Sequence, residues 1–211
     1  HIVTASTPNL RNLDSVLERA RLQANHHSVS SLGAAEAVLT RQQKESGTVL
    51  VDIGAGTTNL VVLEDGEVQH VAVLPIGGMN ITNDLAIGLK TDLDIAEQVK
   101  LEHGGIGRQG KSGVVSVTLN KSRHEFDGEE VQLIIEARVE ELLEYVDKEL
   151  KRIHRSRKLP GGVVIVGGTA KLPGMAEFAK EKLELASRVG KLQPLAGLVD
   201  TVQDPTYATA V

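Results

Sequence analysis

Residues 49–78, VLVDIGAGTTNLVVLEDGEVQHVAVLPIGG, decide the fold. Val49 to Ile53, Asn59 to Leu63 and Val68 to Leu74 are apolar, β-branched runs of strand length, and Asp65-Gly66 between the last two is a tight-turn dipeptide. The spacing predicts an antiparallel three-strand meander. Its first turn, Gly54-Ala55-Gly56-Thr57-Thr58, opens just after Asp52. Gly54 and Gly56 with φ > 0 would gather backbone N–H groups into an anion-binding nest, and Thr57 and Thr58 would add hydroxyl donors. Asp52, a hard oxygen ligand at a strand end, suits Mg²⁺, which in nucleotide sites takes one or two carboxylates with waters and phosphate oxygens. Tight hairpins also use glycine without any ligand, so the turn alone leaves a purely structural role open.

Working outward, Asn12 to Ala24 has helical periodicity and Leu32 to Gln42 reads as an alanine-rich helix. Thr82 to Lys90 and Asp94 to His103 are two further helices, the second with Asp94 and Glu97 at capping-box spacing and an end at Gly104-Gly105. Val114 to Asn120 returns to strand. Glu129 to Ile153 is a long amphipathic helix: Ile135, Val139, Leu142, Val146, Leu150 and Ile153 recur three or four apart, and its acidic start and basic end suit the macrodipole. Val163 to Val166 is a short buried strand, Gly167-Gly168-Thr169 a turn, and Pro173 to Leu183 a helix. The order defines an α/β protein. His1 to Thr4 opens inside an apolar strand pattern, and Ala208 to Val211 reads as the start of a helix, which together suggest a piece of a longer protein.

Composition removes several classes of function. The 211 residues suffice for one large domain or two small ones with proper cores. Aromatic residues make up only 2% and the net charge is −5, so neither a stacking surface for single strands nor a broad basic footprint for nucleic acid is present. There is no cysteine, which excludes disulfides and thiol catalysis. No apolar run approaches the roughly 18 residues of a membrane span. The seven histidines show no zinc-ligand spacing, and no G-x-S-x-G elbow occurs.

One segment imitates a nucleotide motif. Gly105-Ile106-Gly107-Arg108-Gln109-Gly110-Lys111-Ser112 satisfies G-x-x-x-x-G-K-[ST] letter for letter. A working P-loop needs a buried strand before it and a helix N-terminus after it to hold the phosphates. Here the predicted order is helix, then strand, so the segment is expected to be a flexible connector with exposed Arg108 and Lys111. A dinucleotide fingerprint fails likewise, because Asn59 and a strand follow Gly54-Ala55-Gly56 where a third glycine and a helix are required.

The stretches VDIGAGTTNL, PIGGMNITNDLAIGLKTDLDIAEQVKLEHG, IIEARVEELLEYVDKELK, GGVVIVGGTAKLPGMAEFA and LVDTVQDPTYATAV, in that order and spacing, resemble FtsA, the family of bacterial cell-division actins. The resemblance covers nearly the whole chain and implies an actin-like (ribonuclease-H-like) ATPase fold of its C-terminal half. Residues 1–47 would then be a remnant of the N-terminal lobe, 48–81 with 160–211 the nucleotide-binding subdomain, and 82–159 the smaller lobe. It further implies ATP and Mg²⁺ as cofactors. Asp52, Gly54, Gly56, Thr57 and Thr58 match the second phosphate loop, with Asp52 toward the metal, and Gly77-Gly78 the backbone turn beside the phosphates. Glu97 and Lys100 match the helix that touches ribose and adenine, although at three residues apart they also suit a helix cap or a simple ion pair. Gly167, Gly168 and Thr169 match the adenosine loop, or else a plain strand-to-helix turn.

Ala55 and Asn59 depart from the family, which often has glycine and aspartate there, and they are shared with the pilus-assembly relative PilM, the alternative membership. A sugar-kinase or ATPase relative with true turnover is the other alternative. The family's first phosphate loop is expected to precede this chain. Family members recruit the tubulin-like FtsZ through the smaller lobe, where Arg152, Arg155, Arg157 and Lys158, with Lys151 and His154, form a basic cluster suited to an acidic tail. Basic residues at a helix C-terminus equally complement the dipole. Head-to-tail filaments, a membrane-targeting helix beyond Val211 and a cytoplasmic location on the inner face of the membrane are implied for the full-length parent.

Overall fold

The computed structural model describes residues 5–193 and 204–210. The strand pattern expected at His1 to Thr4 lies outside them, as do 194–203 and Val211. The meander forms as expected, with β1 (Thr48–Ile53), β2 (Thr58–Glu64) and β3 (Glu67–Leu74) antiparallel in sequence order. Asp65 and Gly66 both take positive φ, 54° and 74°, the pair that a two-residue primed turn demands. β1 also pairs in parallel with β6 (Val163–Val166), and β6 with β7 (Ser187–Val189), giving a mixed sheet of order β3-β2-β1-β6-β7. β4 (Val114–Leu119) and β5 (Ser122–Asp127) make a separate two-stranded ribbon.

The two-residue period of β1 sorts its side chains between two cores. Val49, Val51 and Ile53 join the larger core, built with α4 (Gly78–Gly88), α5 (Leu93–His103), α6 (Gly128–Arg152) and α7 (Met175–Leu183). Leu50 turns to the other face, where Ala34, Ala35, Ala37 and Val38 of α2 (Ser30–Val38) cover it together with Val164 and Val166. Alternation therefore sends Asp52 to the Leu50 face, at the end of the strand. Along α6, Val131, Ile135, Val139, Leu142, Leu143, Val146 and Leu150 are all buried, and Asp127 caps its start by accepting from the Glu129 N–H at 2.9 Å.

Several boundaries differ from the sequence-based expectation for identifiable reasons. α1 (Thr7–Arg19) starts five residues before Asn12, because Pro8 stands in its first turn. The expected helix 32–42 breaks at Leu39, and a new short one, α3 (Arg41–Ser46), starts where Thr40 and Gln43 form a reciprocal capping box. α7 starts at Met175 because Gly174, at φ 87°, is left-handed. Ala208 to Ala210 continue as turn after a 3₁₀ segment, Pro205–Tyr207, in place of a helix start. No helix among the described residues is long and apolar enough to cross a membrane.

Candidate functional site

The first glycine turn is closed by its own backbone, the Gly54 N–H donating to the Thr57 carbonyl at 2.9 Å. Neither Gly54 nor Gly56 takes positive φ, so the nest expected from left-handed glycines is not formed. Glycine serves a different end here. The Gly54 and Ala55 carbonyls accept from the Gly78 and Met79 N–H groups at 2.9 and 2.8 Å, docking the start of α4 onto the turn. A Cβ on Gly77 would sit 2.6 Å from both of those carbonyl oxygens, so only glycine allows the approach. This docking also starts α4 four residues before Thr82, with the Gly77 N–H held by Asn80 Oδ1 at 2.9 Å. The backbone donors of Gly77 and Gly78 are thus already used. Thr58, expected as a ligand donor, is fully buried and gives its hydroxyl to the Ile76 carbonyl at 2.8 Å, whereas Ala55, Gly56 and Thr57 are exposed.

Glu97 does not cap α5, which begins at Leu93 with Asp92 as its N-cap. Freed from that duty, the Glu97 carboxylate pairs with Lys100 at 2.7 Å and accepts from the Thr82 hydroxyl. Lys100 also donates to Thr82 Oγ1 at 2.8 Å and to the Gly78 carbonyl at 3.1 Å. Burial works to raise the Glu97 carboxyl, yet the hydrogen bonds from Lys100 and Thr82 outweigh it and hold the group below the usual carboxylate range. The ion pair allowed by the sequence is real, and it faces the start of α4.

The third segment closes the ring. Gly167, at φ 87°, packs so tightly that a Cβ would lie 2.5 Å from both Asp52 Oδ1 and the Ile53 carbonyl. A Cβ on Gly78 would meet Thr169 Oγ1 at 2.6 Å and Lys100 Nζ at 3.8 Å, and Thr169 reaches the Gly54 carbonyl at 3.4 Å. Gly168 faces open space. Asp52, half-buried, accepts from the Thr209 hydroxyl at 2.9 Å. The 54–57 turn, Gly77-Gly78, Glu97, Lys100 and Thr169 therefore gather around the head of α4, and Asp52 stands beside Gly167 at the adjoining end of β1.

Two members were missed in the sequence. Thr82 had a legible signal, a polar residue one turn after Gly78 on an otherwise apolar helix face. Thr209 had none, since its approach to Asp52 depends on the segment at 204–210 being tied down by the Gly167 N–H to Pro205 carbonyl bond and the Lys171–Asp204 pair at 2.6 Å.

The basic cluster lies apart from that ring and is largely self-paired. Arg152 pairs with Glu149 at 2.8 Å, Lys151 with Asp147 at 2.7 Å, Arg155 with Glu64 at 2.7 Å and Arg157 with Glu184 at 2.9 Å. The last two tie the end of α6 to β2 and to the α7–β7 connection. The P-loop look-alike sits between α5 and β4 as expected, with Arg108 and Lys111 exposed. Its Gly107 N–H donates to Glu136 Oε1 at 2.6 Å, so a carboxylate of α6 stands where a phosphate would have to lie. Among the described residues, no group of three or more His, Asp or Glu side chains is arranged to hold a metal.

The chain has an actin-like ATPase fold, and solved structures of that class superpose on nearly all of it. MreB5 of Spiroplasma citri bound to ADP matches with a TM-score of 0.76 and 14% identity, over 98% of this chain and 64% of its own. The MamK double helical filament gives 0.72 at 19% identity, over 97% and 63%. The PilM–PilN type IV pilus biogenesis complex gives 0.69 at 21% identity, over 95% and 55%. At these identities the likeness carries the fold alone. The family model described as cell division protein FtsA matches residues 49–211, and the chain belongs to the FtsA family. It is 33% identical to cell division protein FtsA of Pseudomonas aeruginosa and 36% identical to that of Bacillus subtilis, in each case over the whole of this chain. The chain spans about half the length of these curated relatives, 52% and 47%.

Proposed function

We propose that the chain is the half of an FtsA-type scaffold that grips ATP, and that nucleotide occupancy rather than turnover is its output. The supporting observation is the meeting of the 54–57 turn, the Glu97–Lys100 pair and Thr169 at the head of α4, with Asp52 against Gly167 at the adjoining strand end, from segments far apart in the sequence. The donor set fits Mg²⁺–ATP. Asp52 would be the protein's oxygen ligand to a Mg²⁺ at this turn, since Mg²⁺ in nucleotide sites needs only one or two carboxylates beside phosphate and water. ATP, when bound, supplies the polyphosphate charge. Gly56 and Thr57, exposed, offer the donors toward it, Glu97 turns its Oε1 to the nucleoside end while Lys100 holds Oε2 in place, and Gly168 leaves clearance beside them.

In the same reading, residues 82–159 are the smaller lobe that receives the FtsZ tail. Subunits stack head to tail into filaments, and a membrane-binding segment follows in the full-length protein. Family membership supports the division role, and the filament formed by the fold relative MamK supports assembly. Arg152, Arg155, Arg157 and Lys158 as the FtsZ contact are the part least supported by geometry, because three of the four spend their charge on neighbouring acids.

Calorimetric titration with ATP, with and without Mg²⁺, tests the nucleotide reading. Asp52→Ala is expected to lower the Mg²⁺-dependent affinity by roughly tenfold or more, the worth of one charge-assisted contact. Equal affinity with and without the carboxylate would overturn the role given to Asp52. Steady phosphate release abolished by the same substitution would make the protein an enzyme instead.

A further inference from the structure

Thr82 is 1% exposed and lies one helical turn beyond Gly78 on α4. A helical threonine ordinarily returns its hydroxyl to the carbonyl four residues back, here that of Gly78 at 3.2 Å. The single O–H also has the Glu97 carboxylate within reach, and a charged acceptor makes the stronger bond. The hydroxyl oxygen meanwhile accepts from Lys100 Nζ at 2.8 Å. An ammonium has three protons, and the three acceptors around Lys100 are the Gly78 carbonyl, Thr82 Oγ1 and Glu97 Oε2. Two of those acceptors belong to α4, so Lys100 is fixed against the helix whose first N–H groups dock on Gly54 and Ala55. A β-branched side chain in a helix has few χ1 choices, which makes this one-atom bridge between α4 and α5 stiff.

We propose that Thr82 is a positioning residue for nucleoside recognition: its buried hydroxyl locks the Glu97–Lys100 pair to the helix that docks on the phosphate turn, with no ligand contact of its own. The inference rests on the nucleotide reading above. Without the hydroxyl, Lys100 keeps a single α4 acceptor and Glu97 loses a neutral donor, so the pair is no longer held to the phosphate end of the site.

Thr82→Val keeps the volume and the branching and removes only the bridge. Calorimetry on the full 211-residue chain with ATP and, separately, with inorganic tripolyphosphate separates positioning from general damage. The expected result is a loss of roughly tenfold for ATP in Thr82→Val, little change for tripolyphosphate, and recovery to within about twofold in Thr82→Ser. In a Glu97→Gln background, the Thr82→Val effect on ATP should shrink, because the two act as one unit. If the valine variant does not fold, Thr82→Cys, similar in volume with a weak donor, takes its place with the same expected direction. Wild-type binding of ATP with an unchanged Thr82→Val variant overturns this inference alone. Equal losses for ATP and tripolyphosphate also overturn it, by marking a structural role. No ATP binding by the wild type overturns the nucleotide reading and this inference together.

Discussion

The glycine turns at 54–57 and 105–110 differ in what surrounds their backbone. Around the first stand a strand-end carboxylate, exposed Gly56 and Thr57, the head of α4 and, across Gly78, the Lys100 ammonium. Around the second stand Gln132 and Glu136 of α6, which take up the Gly107 carbonyl and N–H at 2.9 and 2.6 Å, while Lys111 folds back to the Glu102 carbonyl at 3.1 Å. The letter-perfect motif is thus filled by the protein's own anion, and the imperfect one is left facing outward. Anion binding is decided by which donors remain after the fold has used its share, and a pattern of letters does not count them.

Substitutions can break that comparison. The largest expected effect is at the first site: Gly167→Ala, with φ 87° and a Cβ 2.5 Å from Asp52 Oδ1, should cost about 3 kcal/mol or more in urea unfolding. Gly107→Ala in the second turn, at φ 59° but in open space, should cost only about 1 kcal/mol. Equal costs would mean that the crowding of Gly167 against Asp52 and Ile53 adds nothing to the strain of a left-handed glycine. Next in size, Glu136→Gln should lower stability by roughly 1–2 kcal/mol through the weakened bond to Gly107, with ATP affinity untouched. A fall in ATP affinity there would restore the look-alike as a nucleotide contact.

The smallest effect concerns pH. Lys171, and after it Thr206, hold the Asp204 carboxyl down from 3.8 to about 2. A carboxyl lowered on folding contributes stability that is fully present above its unfolded value and disappears as pH falls through the folded one. Thermal melting from pH 5 downward should therefore show a gap between wild type and Asp204→Asn that closes between about pH 3.8 and about pH 2. The pair is partly exposed, so the gap should stay below about 1 kcal/mol and shrink in salt. A gap that persists at pH 2 would separate the segment at 204–210 from this ion pair.

Elements whose signal is periodic were legible from the sequence, since burial writes itself as a period. β1, β2, β3, β6 and α6 fall within two residues of expectation. β5 was not, because SRHEFD carries three charged residues and pairs only with β4, and neither was the three-residue β7. At the site, residue types were legible and their duties were not. Glycine at 54 and 56 was read as conformational freedom and Gly77 as a turn beside the phosphates, whereas Gly77 serves close approach of two backbones, and Thr58 was read as a donor to a ligand when a carbonyl eighteen positions on accepts its hydrogen bond. Such facts depend on partners brought by tertiary packing, which local sequence does not contain.

The contact between Thr209 and Asp52 sets a timetable for synthesis. Asp52 leaves the ribosome with its strand, and the threonine that occupies one of its oxygens comes 157 positions later. Until residues 204–210 have emerged, that carboxylate faces water with the rest of its sheet already able to pair. Over those 157 positions the growing chain carries its proposed metal ligand without that hydroxyl, and the pocket acquires this part of its polarity only once the threonine has been added.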